Sequence, residues 1–333
     1  MSSLSTQPSE VHAKTTSKQR GFFQRFFGQR ELGIFLVVLV LGILLTIASP
    51  YFLTVGNIKT LIVGSSFDAI VAIGMTLLLI SGFFDLSVGS TLALAGAVAG
   101  YAMTKFGFSV GPAIMLGFLS GGLVGLINGL LVAKVKVNAL ITTLGMMQVV
   151  RGIVFLLTAG LGIPNLPEEF NLFAQNKFLG IQYPVYITLA LIIIGEILLR
   201  RSRYFRQSYF VGGNERSAQL SGINVDAVVI VNFIIVAVMA ALSGLLLTGR
   251  FGTASVSAGI GTELRVISAC VIGGASLAGG EGTILGAILG VILMNLISNG
   301  LNILGINPYW QSIAIGGILI IAVAADVLSR RKS

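Results

Sequence analysis

The chain has 333 residues, 55% of them hydrophobic and only 10% charged, with a net charge of +9. A soluble domain carries about a quarter of its residues as charges, and one aqueous core of this size cannot hide so much apolar surface, so a soluble fold is excluded. The single histidine, His12, and the single cysteine, Cys270, leave no material for a histidine-based catalytic centre, a metal cluster or a disulfide framework.

Residues 1–30 form a basic tail (Lys14, Lys18, Arg20, Arg25, Arg30) in which Phe22, Phe23, Phe26 and Phe27 recur with helical spacing, the pattern of a short helix lying on a membrane surface. The first apolar run starts too far in, and no small-residue cleavage site follows it, so a cleaved signal peptide is not expected. A membrane span takes about 20 apolar residues, and runs of that order then follow one another. The first covers 32–48 and ends at Ser49-Pro50; the second covers 57–80. SGFFDLSVGS, residues 81–90, is a turn whose acid opens a Gly/Ala-rich third span reaching Thr104. A fourth reaches Ala133 before the basic stop Lys134-Val135-Lys136, a fifth covers 138–158, and a loop 159–184 precedes the sixth at 185–199. Beyond a polar segment from Arg200 to Asp226, a seventh span covers 225–248 and a Gly/Ser-rich, re-entrant connection covers 250–262. The eighth to tenth cover 263–278, 283–298 and 309–327.

These readings predict an all-α, polytopic membrane protein of about ten transmembrane helices. Its parts are a cytoplasmic basic tail (1–30), a transmembrane domain (31–329) with a cytoplasmic loop (200–225), and a short cytoplasmic C-terminus (330–333). Ten spans put both termini on one side. The tail, the 134–136 stop, the 200–216 loop and the C-terminus collect most of the Lys and Arg on that side, which the positive-inside rule makes the cytoplasm. Lys59, Lys105, Lys177, Arg250 and Arg265 fall at or near the outer ends, and Arg151 lies within a span. The positive charge is thus a topology signal and not a nucleic-acid surface. The 43 glycines, many inside the apolar runs, suit close helix packing in lipid. Spans two to five and seven to ten each pair a polar turn with a small-residue helix (SGFFDLSVGSTLALAGAVAG and GGEGTILGAILGVIL), as an inverted repeat would.

No catalytic constellation is present. Gly279 to Thr283 lacks the lysine a phosphate-binding loop needs, so the chain has no such site for ATP and no cofactor of its own is expected. Polar groups inside spans are costly and mark functional positions. Asp68, Asn128, Asn232 and Asn295 are the candidates for a translocation path; an uncharged, hydroxyl-rich substrate favours amides. Against this, Asp68 and Arg151 also suit structural pairing, capping or snorkelling. Asp85 is placed to cap the third span, its carboxylate accepting N–H bonds. In the 200–226 segment the plainer role is a topology anchor. However, the polar stretch continues well past the arginines: Gly212-Gly213-Asn214 breaks the chain, and Glu215 to Leu220 forms a short amphipathic helix ended by Gly222. A helix held off the membrane by glycine hinges suits docking into another protein.

FVGGNERSAQLSGINV resembles the coupling segment of permease subunits in bacterial ATP-binding-cassette (ABC) sugar importers of the ribose, arabinose and galactose type. SGFFDLSVGS, VNALITTLGMMQVVRG, TELRVISACVIGGASLAGGEGT and NGLNILGINPYWQ resemble further motifs of that family in the same order, and VNALITT and VISAC lean toward its arabinose-type members. The resemblance covers roughly residues 30–330. It implies a permease in the inner membrane that pairs with a second copy around a sugar pathway. It also implies a periplasmic sugar-binding protein that delivers the sugar and a separate cytoplasmic subunit that hydrolyses ATP–Mg. Gly212, Gly213, Asn214, Glu215, Ala218 and Gly222 would form the coupling helix and its hinges, while Asp85, Ser87, Gly89, Gly279 and Gly280 sit at structural positions of the motifs. Arg216-Ser217 departs from the small residues usual in that family. An ion-coupled secondary transporter is the competing class, with Asp68 as the acid it would need; a membrane-embedded enzyme lacks a nucleophile–base pair.

Overall fold

Long apolar helices are what a chain must form where lipid leaves no other partner for backbone N–H and C=O groups. The computed structural model describes residues 29–307 and 309–330; the interfacial helix expected around 22–27 and the last three residues lie outside the described residues. Thirteen helices occur there: α1 (Gln29–Ala48), α2 (Val55–Ile80), α3 (Val88–Phe106), α4 (Val110–Ala133), α5 (Ala139–Thr158), α6 (Glu168–Gln175), α7 (Tyr183–Arg201), α8 (Arg203–Gly213), α9 (Glu215–Leu220), α10 (Val225–Phe251), α11 (Thr262–Ile272), α12 (Ile284–Ile303) and α13 (Tyr309–Arg330). Between α6 and α7 lies a two-strand antiparallel hairpin, β1 (Lys177–Phe178) with β2 (Ile181–Gln182). Its turn places Leu179 and Gly180 at positive φ, which matches the twist of the strands it joins.

Seven of the described helices (α1, α2, α4, α5, α7, α10 and α12) are long and apolar enough to cross a membrane. α3 is long enough as well, but it is richer in Gly, Ser and Thr and almost wholly buried. A helix surrounded by protein need not be greasy. The eighth expected span departs from the sequence reading: α11 has 11 residues. At 1.5 Å per residue that is roughly half of a bilayer core, and the run 263–278 ends in a turn beyond Ile272. Thus the segment is a half-helix between two polar connections. The loops were also under-read, since 159–184 contains α6 and the hairpin, and the polar 200–226 segment is mostly helical.

α2 and α10 lie antiparallel at the centre: Ser243 Oγ donates to the Phe67 carbonyl (2.9 Å), and a Cβ at Gly74 would come within 2.6 Å of Val236 Cα. α10 also packs on α4 through Gly117, Gly121, Gly125 and Gly129, one every fourth residue and so on one helix face. A Cβ would stand 2.5 Å from the Phe233 carbonyl at Gly125 and 2.8 Å from Ile230 Cα at Gly129. In lipid such close approach supplies the packing that the hydrophobic effect cannot. Gly125→Val should therefore separate α4 from α10 and abolish recovery of folded protein in detergent, whereas Gly152→Val, where nothing lies within 4 Å, should leave it near wild type. Size-exclusion profiles of the two variants check this.

The packing also has the form that two interchangeable halves produce. α3 contacts α4 and α5 as α11 contacts α12 and α13; α10 contacts α4 as α2 contacts α12; and α2 meets α10 at the centre. This is the arrangement expected of the repeat drawn from spans two to five and seven to ten.

Candidate functional site

The polar segment after α7 builds one end of the molecule. α8 buries Ser208 and Val211, and its last turn enters a crowded junction. The Gly280 N–H donates to the Ile80 carbonyl (2.8 Å), joining the end of α2 to the 279–282 turn. Gly212 lies against both. A Cβ there would collide with the Ile80 carbonyl oxygen and stand 2.6 Å from Gly280 N. Gly212 is therefore a contact point and not the hinge expected from the sequence. Gly279 and Gly280 hold positive φ in the same junction, and a Cβ at Gly279 would meet Gly212 at 2.7 Å. The Tyr209 hydroxyl donates to the Gly282 carbonyl (2.7 Å). Burial, with Glu196 adding to it, pushes that phenol up to about 12, so it remains a donor at neutral pH.

Gly213 has open space around it, and the chain turns there into α9. Asn214 caps this helix, its side chain accepting the Ser217 N–H (2.8 Å). Gly222, at φ +81, lies just beyond the helix as the Ile223 N–H returns to the Ala218 carbonyl (3.1 Å). Ala218 is buried in the largest apolar cluster, together with Val211 and residues of α2, α10 and α11. Glu215, Arg216, Gln219 and Leu220 instead line an open depression on the opposite face. Leu220 is 84% exposed, so α9 shows a mixed polar and apolar surface. Lys136, held at φ +62 after α4, reaches Asp226 (3.2 Å) and Glu215 (3.7 Å), and Lys134 reaches Asp226 (2.9 Å). α9 is thus tied to the α4–α5 turn and to the start of α10.

The amides proposed for a pathway separate into two groups. Asn232 is wholly buried and donates to Ser81 Oγ (3.1 Å) and Ser208 Oγ (3.0 Å), binding α10 to α2 and α8. Asn128, also wholly buried, donates to Ser87 Oγ (3.0 Å) and Asp85 Oδ2 (3.3 Å). Neither lines open space in this conformation; both close helix–helix contacts. Asp85 Oδ1 accepts the Ser87 N–H (2.7 Å) and hydroxyl (2.6 Å) at the entry to α3. Next to it, a Cβ at Gly89 would collide with the Gly259 carbonyl and stand 3.2 Å from its carbon. The 252–261 connection therefore folds back onto the start of α3.

Asp68 and Asn295 do come together. Asn295 Nδ2 donates to Asp68 Oδ2 (3.0 Å), and Arg265 Nη1 lies 3.6 Å from the same oxygen. The sequence put Arg265 at an outer end; it stands on α11 within the bundle. Asp68, the acid that an ion-coupled carrier would need, is engaged by a cation and an amide. Arg151 does not pair with Asp68. Its Nη1 donates to the carbonyls of Val256 and Ala258 (2.9 Å each) and so clamps the re-entrant connection. Glu263 accepts the Gly261 N–H (3.2 Å) there. Arg265 and Glu263 escaped the sequence reading because a charge at the edge of an apolar run looks like a span end. The Gly-rich stretch just before them was the available signal that the chain re-enters.

Residues 57–323 match the family model described as branched-chain amino acid transport system / permease component. The chain is 35% identical over 319 residues to the ribose import permease protein of Escherichia coli (strain K12), covering 94% of this chain and 98% of that protein. It is 36% identical over 327 residues to the L-arabinose ABC transporter permease protein of Azospirillum brasilense (98% and 96%). It is 37% identical over 326 residues to the L-arabinose transport system permease protein of E. coli (strain K12) (98% and 97%). No solved structure matches the chain.

Proposed function

Because the chain belongs to this family of transport-system permease components, we propose that it is the membrane-spanning subunit of an ABC importer carrying a monosaccharide of the arabinose, ribose or galactose kind across the bacterial inner membrane. The observation that carries this reading is α9, anchored inward by Ala218 while Glu215, Arg216, Gln219 and Leu220 face outward. Such a helix is a handle for a second protein, here a cytoplasmic subunit that binds ATP–Mg. The relatives named for arabinose and ribose support a sugar as cargo. A periplasmic sugar-binding protein and a second permease copy complete the assembly, with both termini cytoplasmic.

The chain itself performs no chemistry; it needs two packings of similar energy that its partners bias. Closure of the ATPase would displace α9. The Lys136 contacts pass that displacement to the α4–α5 turn and α10, and the Gly212 junction passes it to α2 and the 279–282 turn. The Arg151 clamp and the Asp68–Arg265–Asn295 cluster lie on the elements that would move.

Glu215→Arg turns the Glu215–Lys136 attraction into repulsion and inverts one charge on the handle. In proteoliposomes with the ATPase and binding protein, ATP-dependent sugar uptake should fall about tenfold or more, equivalent to about 1.4 kcal/mol of lost coupling, with the permease still inserted. Uptake that persists without ATP and collapses with an uncoupler would overturn the importer reading.

A further inference from the structure

Three of the basic residues that sit apart from the main clusters come together in space. Lys59 near the start of α2, Lys177 on β1 and Arg250 near the end of α10 line one cavity of about 490 Å³. It lies at the end of the bundle opposite the α8–α9 segment, because α2 begins there and α10 ends there. No carboxylate is among its lining residues, and among the described residues no ion pair engages these three cations.

Two of the cations, Arg250 and Lys59, are set against neighbouring groups. The Arg250 guanidinium sits 5.5 Å from the centre of the Phe67 ring and 5.6 Å from that of Phe251, which fixes it at the edge of the bundle. The hairpin turn passes over Lys59: a Cβ at Gly180 would come 3.3 Å from Lys59 Nζ. The other wall is apolar: Ile62 and Val63 line it one turn further into α2 than Lys59, and Ile62 is 38% exposed.

Three like charges around one cavity repel one another, and an anion relieves that repulsion. Cations at span ends stand where headgroups lie, while the apolar wall below them stands at the depth of the acyl chains. A free phosphate or an acidic side chain would use the cations and leave the wall unused. We propose that this cavity binds one anionic phospholipid, its phosphate on Lys59, Lys177 and Arg250 and its glycerol and first acyl carbons against Ile62 and Val63.

Native mass spectrometry of the full chain, released from nanodiscs of equal phosphatidylglycerol and phosphatidylcholine, tests the site. The wild type should retain phosphatidylglycerol preferentially. Each basic residue near a headgroup contributes about fivefold, so K59Q/K177Q should lower that preference by about 25-fold. Arg250 is left in place in this variant because it also packs on Phe67, so a loss cannot be ascribed to misfolding at that ring. Equal retention of the two lipids by the wild type, or an unchanged preference in K59Q/K177Q, overturns the proposal. Displacement of the lipid by millimolar inorganic phosphate overturns it too, since the apolar wall would then contribute nothing. If the preference in the mixed nanodiscs is unchanged while K59Q/K177Q in phosphatidylcholine nanodiscs binds polyglutamate more weakly than the wild type, the cluster is a protein dock instead.

Discussion

Gly212→Val is expected to abolish ATP-driven uptake and to cost the molecule more stability than most substitutions in its core. The added side chain meets backbone on two sides, the Ile80 carbonyl and Gly280 N, and those two groups are hydrogen-bonded to each other. Neither can move away by a rotamer change. Overpacking a core commonly costs about 1–3 kcal/mol, and with backbone as the obstacle the upper end applies. The accommodating movement is for α8 to lift off α2, which would strand the Asn232–Ser208 and Tyr209–Gly282 hydrogen bonds. It would also disconnect α9 from the bundle. Gly213→Val is the control: it is one residue away, with nothing within 4 Å of its Cβ position. Thermal unfolding, proteolysis within residues 200–216 and uptake should separate the two variants. Equal melting and equal uptake would mean that the junction does not hold α8.

Asp68→Leu should be the most damaging single change inside the bundle. It removes the carboxylate from Arg265 and leaves a cation whose Nε already has no partner. Breaking a buried pair by removing one partner costs about 3–5 kcal/mol. Arg265 keeps 29% of its side chain exposed and Asp68 10%, so about 3 kcal/mol, the low end, is expected. Arg265→Leu should cost a similar amount, because Asp68 then keeps only Asn295. The double variant should recover most of the loss, since two apolar side chains replace a pair that had to be desolvated. A double-mutant cycle on denaturant unfolding measures this coupling. If the two losses simply add, the pair is not an interacting unit.

How far the site was legible depended on the kind of residue. α9 was drawn from Glu215 to Leu220, and the structure places it there, because Asn214 and Gly222 are local start and stop signals that need no tertiary partner. α8 was missed: its arginines and tyrosines resemble a solvated loop, and its helicity depends on Ser208 and Val211 being covered by other elements. Gly212 and Gly213 are indistinguishable in sequence, yet one is pinned between two backbones and the other is free. Asn128 and Asn232 are legible in the sequence as polar groups inside spans, but not as the groups that close α4 on α3 and α10 on α2 and α8. An amide's destination depends on which helix lies opposite.

The sequence by itself determined that this is an all-α membrane protein, where most of its spans lie, and the family to which it belongs. Those properties follow from composition, apolar run length and contiguous motifs, all of which are local along the chain. Only the tertiary structure decided that α11 is a half-helix, that Arg265 and not Arg151 stands beside Asp68, and that three distant cations share one cavity. Each of those depends on residues far apart in sequence becoming neighbours, and neighbours are chosen by close packing of small residues, which a hydropathy pattern does not record.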